Sequence, residues 1–259
     1  MNQWNRMLVP AMFLAGVVLV PACNGGSGDQ AQNENQAQTQ TQAQNQTQTP
    51  AENQTQTTPP AETQAAGPLM NPRSPEMNQT APATFKARFQ TSKGDFVIEA
   101  HRDWAPQGVD RFYNLVKNGF YDDVRFFRVL KGFMAQFGIS GDPRVSSVWR
   151  EAKIADDPVK QKNTPGMVSY AMAGPGTRTT QLFINYNDNS GPLDPQGFAP
   201  FARVIEGMEV VDSLYSGYGD SSGFLPGPDQ TRIQAEGSAY LEREFPRLDF
   251  IRSARIVTE

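Results

Sequence analysis

The chain has 259 residues, a net charge of -4 and a sequence pI of about 5.2. A nucleic-acid-binding domain normally shows a basic excess or patch, so no DNA or RNA partner is expected. A single cysteine and a single histidine exclude an internal disulfide framework and argue against a zinc cage or a histidine-based triad.

Met1 to Arg6 carry one cationic side chain, and Met7 to Val20 form an apolar run. That run is short for a membrane span, which needs about 20 apolar residues, and fits a signal-peptide core. It ends in Val20-Pro21-Ala22-Cys23, which resembles a bacterial lipobox. The resemblance implies a signal peptide over residues 1–22 and lipid on Cys23, and hence membrane attachment through that lipid in the cell envelope.

From Asn24 to about Ala81 the chain is Gln, Asn, Thr, Ala and Pro, with almost no large apolar side chains. It buries too little surface to offset chain entropy, so residues 23–82 are expected to be a lipidated, disordered tether. As a flexible coil it spans roughly 40 Å. The Asn-x-Thr triplets at Asn45, Asn53 and Asn78 are what a tract of this composition contains by chance.

Residues 83–259 are the expected folded domain. Phe85 to Thr91 alternates apolar and polar residues, turns at Ser92-Lys93-Gly94-Asp95 and returns through Phe96-Val97-Ile98-Glu99, the pattern of an antiparallel hairpin. Pro106 then opens a helix in which Val109, Phe112, Tyr113 and Val116 recur at helical spacing, and Gly119 stops it. Further strands are expected at 125–130, 133–137, 167–172, 181–186, 198–205 and 250–257, with helices at 209–214 and around 239–245. Short strands with Gly- and Pro-rich connections indicate an antiparallel barrel or sandwich.

Two segments could carry chemistry. In Phe126-Phe127-Arg128-Val129-Leu130-Lys131-Gly132-Phe133-Met134-Ala135-Gln136, one arginine stands in an apolar strand and Met134 and Gln136 share a face of the returning strand. By itself Arg128 reads as a strand-face arginine whose stem packs on apolar neighbours. In the second segment, Ala171-Met172-Ala173-Gly174 leads to Gln181-Leu182-Phe183-Ile184-Asn185, which pairs an amide with an aromatic ring on one strand face.

In order and spacing these segments resemble the cyclophilin-type peptidyl-prolyl cis/trans isomerases. The likeness continues through Pro192-Leu193-Asp194 and Phe201-Ala202-Arg203-Val204-Ile205-Glu206-Gly207-Met208. It implies a closed eight-stranded antiparallel barrel capped by two or three helices, with a packed interior and the groove outside. It also implies a monomer that acts on proline-containing polypeptides and needs no cofactor or metal. Arg128 and Gln136 would be catalytic, Phe133, Met134, Phe183 and Leu193 would hold the proline ring, and Gln181, Phe198 and the Met172 backbone would align the peptide. The chain departs from the commoner family pattern at Phe127, Met172, Pro192 and Phe198. Residues 234–246 resemble an extension found in some bacterial members, read here as a capping helix.

His101 lies outside these segments and is assigned a structural or surface role. Asp156-Asp157 and Asp188-Asn189 lack EF-hand spacing and read as solvated loops. The Gly174–Thr180 stretch lacks the lysine of a phosphate loop and reads as a border of the groove. Two other functions compete with catalysis: a non-catalytic chaperone module that binds proline peptides, and a ligand-binding barrel with an internal cavity. If Cys23 carries the lipid, Cys23→Ser will abolish incorporation of a labelled fatty acid and leave unprocessed precursor; normal labelling of that variant would disprove the lipobox reading.

Overall fold

Alternation along Phe85, Ala87 and Phe89 builds β1 (Thr84–Thr91), whose apolar side chains are buried while Arg88 and Gln90 face out. The computed structural model describes residues 67–220 and 227–257. The expected signal peptide, Cys23 and the tether as far as residue 66 lie outside the described residues. From β1 the chain continues through β2 (Gly94–His101), α1 (Pro106–Lys117), β3 (Arg128–Leu130), β4 (Met134–Phe137) and α2 (Pro143–Trp149). It then forms β5 (Met167–Tyr170), β6 (Leu182–Asn185), α3 (Ser190–Leu193), β7 (Pro200–Glu206) and α4 (Met208–Asp212). The last elements are α5 (Gln230–Glu236), α6 (Ser238–Glu244) and β8 (Ile251–Ile256).

The eight strands form one sheet in the order β3-β4-β6-β5-β7-β2-β1-β8, and every ladder in it is antiparallel. The expected closed barrel is corrected by this order, because the end strands β3 and β8 share no ladder and the sheet is an open, curled half-barrel. The two ends come nearest to pairing just before β3. Residues 123–126 spend their backbone groups on the start of β8, through Asp123 N–H to Ile251 O, Ile251 N–H to Val124 O and Phe126 N–H to Asp249 O, with one bridge at Arg125 and Phe250. The chain then leaves β8 and pairs with β4, so the strand expected over 125–130 is regular only from Arg128.

The inner face of the sheet is filled by rings and branched side chains. Phe89 stacks on Phe96 at 5.0 Å, and Phe112 of α1 meets Phe201 at 5.1 Å. Ala135 and Phe137 of β4, Leu182 and Ile184 of β6, and Val168 and Tyr170 of β5 enter the same core. Their strand neighbours Met134, Gln136, Phe183, Asn185 and Ser169 are buried on the opposite face, since successive side chains alternate. These strands are therefore covered on both sides.

Residues 67–82 differ from the expected tether, because they pack on the domain. Leu69, Met70 and Met77 reach the core, Leu69 O accepts the Trp149 indole N–H at 2.7 Å, and Gln79 exchanges hydrogen bonds with the Asn114 amide. Three apolar side chains and two short 3-10 turns at Pro68–Met70 and Pro75–Met77 are enough to dock a segment whose average composition is polar.

The described residues hold six α-helical segments rather than two or three. α2, α3 and α5 are four to seven residues long, too short for apolar periodicity to mark them. Two of them, α2 and α5, carry an N-cap signal in the sequence: Asp142 and Asp229 accept the backbone N–H of Arg144 and Arg232, as N-cap aspartates do. The start of α1 is held differently. The Asp157 carboxylate accepts the N–H groups of Gln107 and Gly108 at 3.0 and 2.9 Å and pairs with Arg178 at 3.1 Å, both side chains being 2% exposed. Asp157 is thus no solvated loop residue, and neither is Asn189, which is buried. Removing one partner of a buried pair strands the other charge. Asp157→Ala should therefore cost roughly 3 kcal/mol of unfolding free energy in urea titrations, because it leaves Arg178 only the more exposed Asp156, at 3.2 Å, as an ion-pair partner.

Candidate active site

The site begins at the β3–β4 turn. Phe133 N–H bonds to Leu130 O at 2.9 Å, and Gly132 takes the positive-φ position at +77° that L side chains avoid. This turn sets a register in which Arg128 stands opposite Gln136. Gln136 stands opposite Phe183 on β6, and Phe183 opposite Ser169 on β5. One lateral row across four strands thus carries a guanidinium, an amide, an aromatic ring and a hydroxyl.

A buried polar frame lies behind the row. Asn163 accepts from Ser169 Oγ at 2.8 Å and donates to Asp194 and to Phe198 O, both at 2.8 Å. Asn185 donates to Asn163, and Asn189 donates to Asn185 at 2.8 Å and to Phe133 O at 2.9 Å. These bonds fix the segment bearing Leu193 and Phe198, and the backbone of Phe133, against the sheet's outer face. On the other side Arg111 donates to Ala152 O at 2.7 Å and Thr179 O at 3.3 Å and lies 5.0 Å from the Trp149 ring centroid. Burial pushes that guanidinium below its ordinary pKa.

Arg128, Phe133, Met134, Gln136, Met172, Gln181, Phe183, Leu193 and Phe198, all expected from sequence, line a single groove of about 430 Å³, within the range of ligand sites. Its floor is apolar: Met134, Phe183 and Leu193 form one buried cluster with Phe133 and Phe198 packed on it. The Phe198 ring meets Phe183 edge-on at 5.8 Å. At the rim Arg128 Nη1 donates to Gln136 Oε1 at 3.2 Å, and Gln136 Nε2 donates to Gln181 Oε1 at 2.9 Å. The guanidinium lies 5.8 Å from the Phe133 ring centroid. Thr177, Thr179 and Thr180 of the Gly174–Thr180 stretch form part of the wall.

Other features of the site were not read from sequence. Arg128 Nε and Nη2 both stand 3.0 Å from Asp220 Oδ2, although no motif marks Asp220 and it is far along the chain. Gln230 and Gln234 of α5, with Ser146 and Trp149 of α2, extend the wall. The glutamines sit four residues apart, one face of a helix, a signal that becomes usable only once α5 is recognised. Among the described residues no group of three His, Cys, Asp or Glu side chains gathers to hold a metal ion.

The departures have separate outcomes. Phe127 does not line the groove; it is buried with Ile139, Ile233, Tyr240, Leu241, Phe245 and Leu248, which belong largely to α5, α6 and the segment after them. Pro192 is exposed, and Met172 lines the groove. His101 lies outside the groove lining, stacked on Trp104 at 4.0 Å and bonded to Glu99 at 2.9 Å. Burial pushes the Glu99 carboxyl up, but hydrogen bonds from Arg203 and His101 outweigh it and leave the group below the ordinary carboxylate range.

Both the sequence and the fold have known relatives. Residues 86–233 match the family model described as cyclophilin type peptidyl-prolyl cis-trans isomerase/CLD. The chain is 37% identical over 139 residues to peptidyl-prolyl cis-trans isomerase B of Escherichia coli (strain K12), covering 49% of this chain and 81% of that protein. It is 33% identical over 142 residues to a peptidyl-prolyl cis-trans isomerase of Acinetobacter baylyi, covering 51% and 72%. The solved structure of a cyclophilin type peptidyl-prolyl cis-trans isomerase from Cryptosporidium parvum has the same fold, with a TM-score of 0.51 at 22% identity, over 68% of this chain and 99% of that one. Phe127→His should lower stability by about 1–3 kcal/mol, because a polar ring nitrogen would enter an apolar cluster without a partner; thermal unfolding measures it.

Proposed function

Because the chain belongs to the cyclophilin-type peptidyl-prolyl cis-trans isomerase family and is an enzyme of that class, we propose that Arg128 is the group that lowers the rotation barrier. The observation that carries this reading is the Arg128–Gln136–Gln181 chain of hydrogen bonds along the rim of an apolar floor.

An unassisted peptide bond rotates over a barrier of about 18–20 kcal/mol, because twisting it destroys amide resonance. For X-Pro bonds exchange takes roughly tens to hundreds of seconds. At the midpoint the prolyl nitrogen is pyramidal and its lone pair is localised, so a fixed donor aimed at it binds the twisted state better than either planar isomer. Such differential binding accelerates both directions equally. Arginine suits the task, since its planar fork is permanently charged and presents five N–H donors.

The surrounding side chains take the remaining roles. Met134, Phe183 and Leu193 receive the proline ring, with Phe133 and Phe198 at its sides. Gln136 has committed one N–H to Gln181, so its second is left for a peptide carbonyl. Both amide N–H groups of Gln181 and the backbone at Met172 align the peptide. The substrates are exported, proline-containing polypeptides, and the enzyme is a monomeric bacterial lipoprotein held in the envelope through Cys23. Lipobox, tether and groove together support that setting.

The test is cis/trans exchange of an Ala-Pro peptide followed by NMR. The wild type should accelerate exchange, and Arg128→Ala should lose about a hundredfold to a thousandfold, the scale of removing one oriented donor. Arg128→Lys should not restore the rate, because a point charge lacks the fork. Absence of acceleration by the wild type would sink the reading. Phe183→Ala should raise KM about tenfold and change kcat less, since the ring contacts proline in ground state and transition state alike.

A further inference from the structure

We propose that Asp220 is a positioning residue for this reaction: it holds the Arg128 guanidinium so that one N–H on each terminal nitrogen stays turned to the groove. The inference rests on the reading of Arg128 given above.

β3 alone does not orient Arg128. The strand is three residues long and ends the sheet, and the arginine side chain is 27% exposed. A long side chain at such an edge samples many rotamers unless its head group is held. Asp220 Oδ2 stands 3.0 Å from both Nε and Nη2, and Gln136 Oε1 takes one N–H of Nη1. Of the five donors of a guanidinium, that leaves one on Nη1 and one on Nη2. The plane of the fork is set by two partners on different elements, which is what preorganised catalysis requires of its donors.

Asp220 is itself held. Its carbonyl accepts Gly227 N–H at 3.3 Å, and any Cβ on Gly227 would meet Asp220 Cα at 2.6 Å, so only glycine permits this approach. Two residues earlier, the Tyr218 ring packs edge-on against Tyr215 and Phe245, each at 5.0 Å. The Tyr218 hydroxyl accepts Arg247 N–H at 3.3 Å. Tyr218 packs on the same cluster that buries Phe127, the neighbour of Arg128 in the chain. One apolar cluster therefore anchors the acid and the arginine together. With its side chain 14% exposed, the carboxylate is screened less by salt than a surface partner would be.

The experiment measures exchange kinetics and thermal unfolding of the full chain with Asp220→Ala and Asp220→Asn, each made also in the Arg128→Ala background. Asp220→Ala should lower kcat about tenfold with KM changed less than about twofold. Asp220→Asn, which keeps the shape and an acceptor oxygen, should lose less, and neither should reduce the residual rate of Arg128→Ala further. Gly227→Ala, which pushes on Asp220 without removing it, should reproduce part of the loss. The Asn variant decides the matter if the Ala variant fails to fold. An unchanged or raised kcat in Asp220→Asn and Asp220→Ala would overturn the proposal, a rise meaning that the acid restrains the arginine instead. So would an equal loss in both backgrounds, because the acid would then act independently of Arg128. Full activity of Arg128→Ala by itself would instead overturn the catalytic reading beneath it.

Discussion

The groove depends on one register. Gln136 must stand opposite Arg128 on one side and Phe183 on the other, and a slip of a single residue in β4 would turn Gln136 into the core and Phe137 out of it. Two features prevent that slip. Gly132 sets the turn before β4, and the inner face of β4 carries Ala135 and Phe137 against rings from β1 and the Phe126 segment. Aromatic packing on the inside thus determines which side chains reach the outside. A packed interior also explains why the groove lies on the outer face.

That outer face would be costly to bury without compensation. Gln136, Ser169, Asn163, Asn185 and Asn189 are all nearly inaccessible, and each has a hydrogen-bond partner. A satisfied network of this kind specifies one arrangement, because any alternative leaves buried polar atoms unpaired. Here it fixes the Leu193–Phe198 segment and Phe133, which form the far side of the apolar floor. The Asp157–Arg178 pair does the same for the opposite wall, tying the loops before β5 and β6 to the start of α1.

The region between α4 and β8 has a larger part than a cap. Its helices α5 and α6 are joined at Gly237, where φ is +64° and a side chain would strike the Gly141 carbonyl. The joint docks there through Ser238 N–H to Gly141 O at 3.0 Å. From that seat the region buries Phe127, sends Asp220 to Arg128 and lends Gln230 and Gln234 to the groove wall. The phenylalanine at 127 and the helical region explain one another: an apolar ring is suited to the position because an apolar cluster covers it.

What the sequence by itself determined was local and periodic. Alternation and turn residues marked the strands to within a few residues, Pro106 and Gly119 bounded α1, and a family resemblance in the segments bearing Arg128, Phe133, Met134, Gln136, Gln181, Phe183 and Leu193 picked out residues that line one groove. Tertiary structure decided what depends on long-range approach. The sheet stays open because the pairing of residues 123–126 with the start of β8 ends before β3 begins, and no side-chain pattern encodes where such pairing stops. Residues 67–82 pack because three apolar side chains meet a surface formed elsewhere. Asp157 and Asn189, polar by type, are buried because α1 and Phe133 offer them unsatisfied groups. Asp220 reaches Arg128 only through a cluster assembled from distant segments, since side-chain chemistry can be read from one chain but the company it keeps cannot.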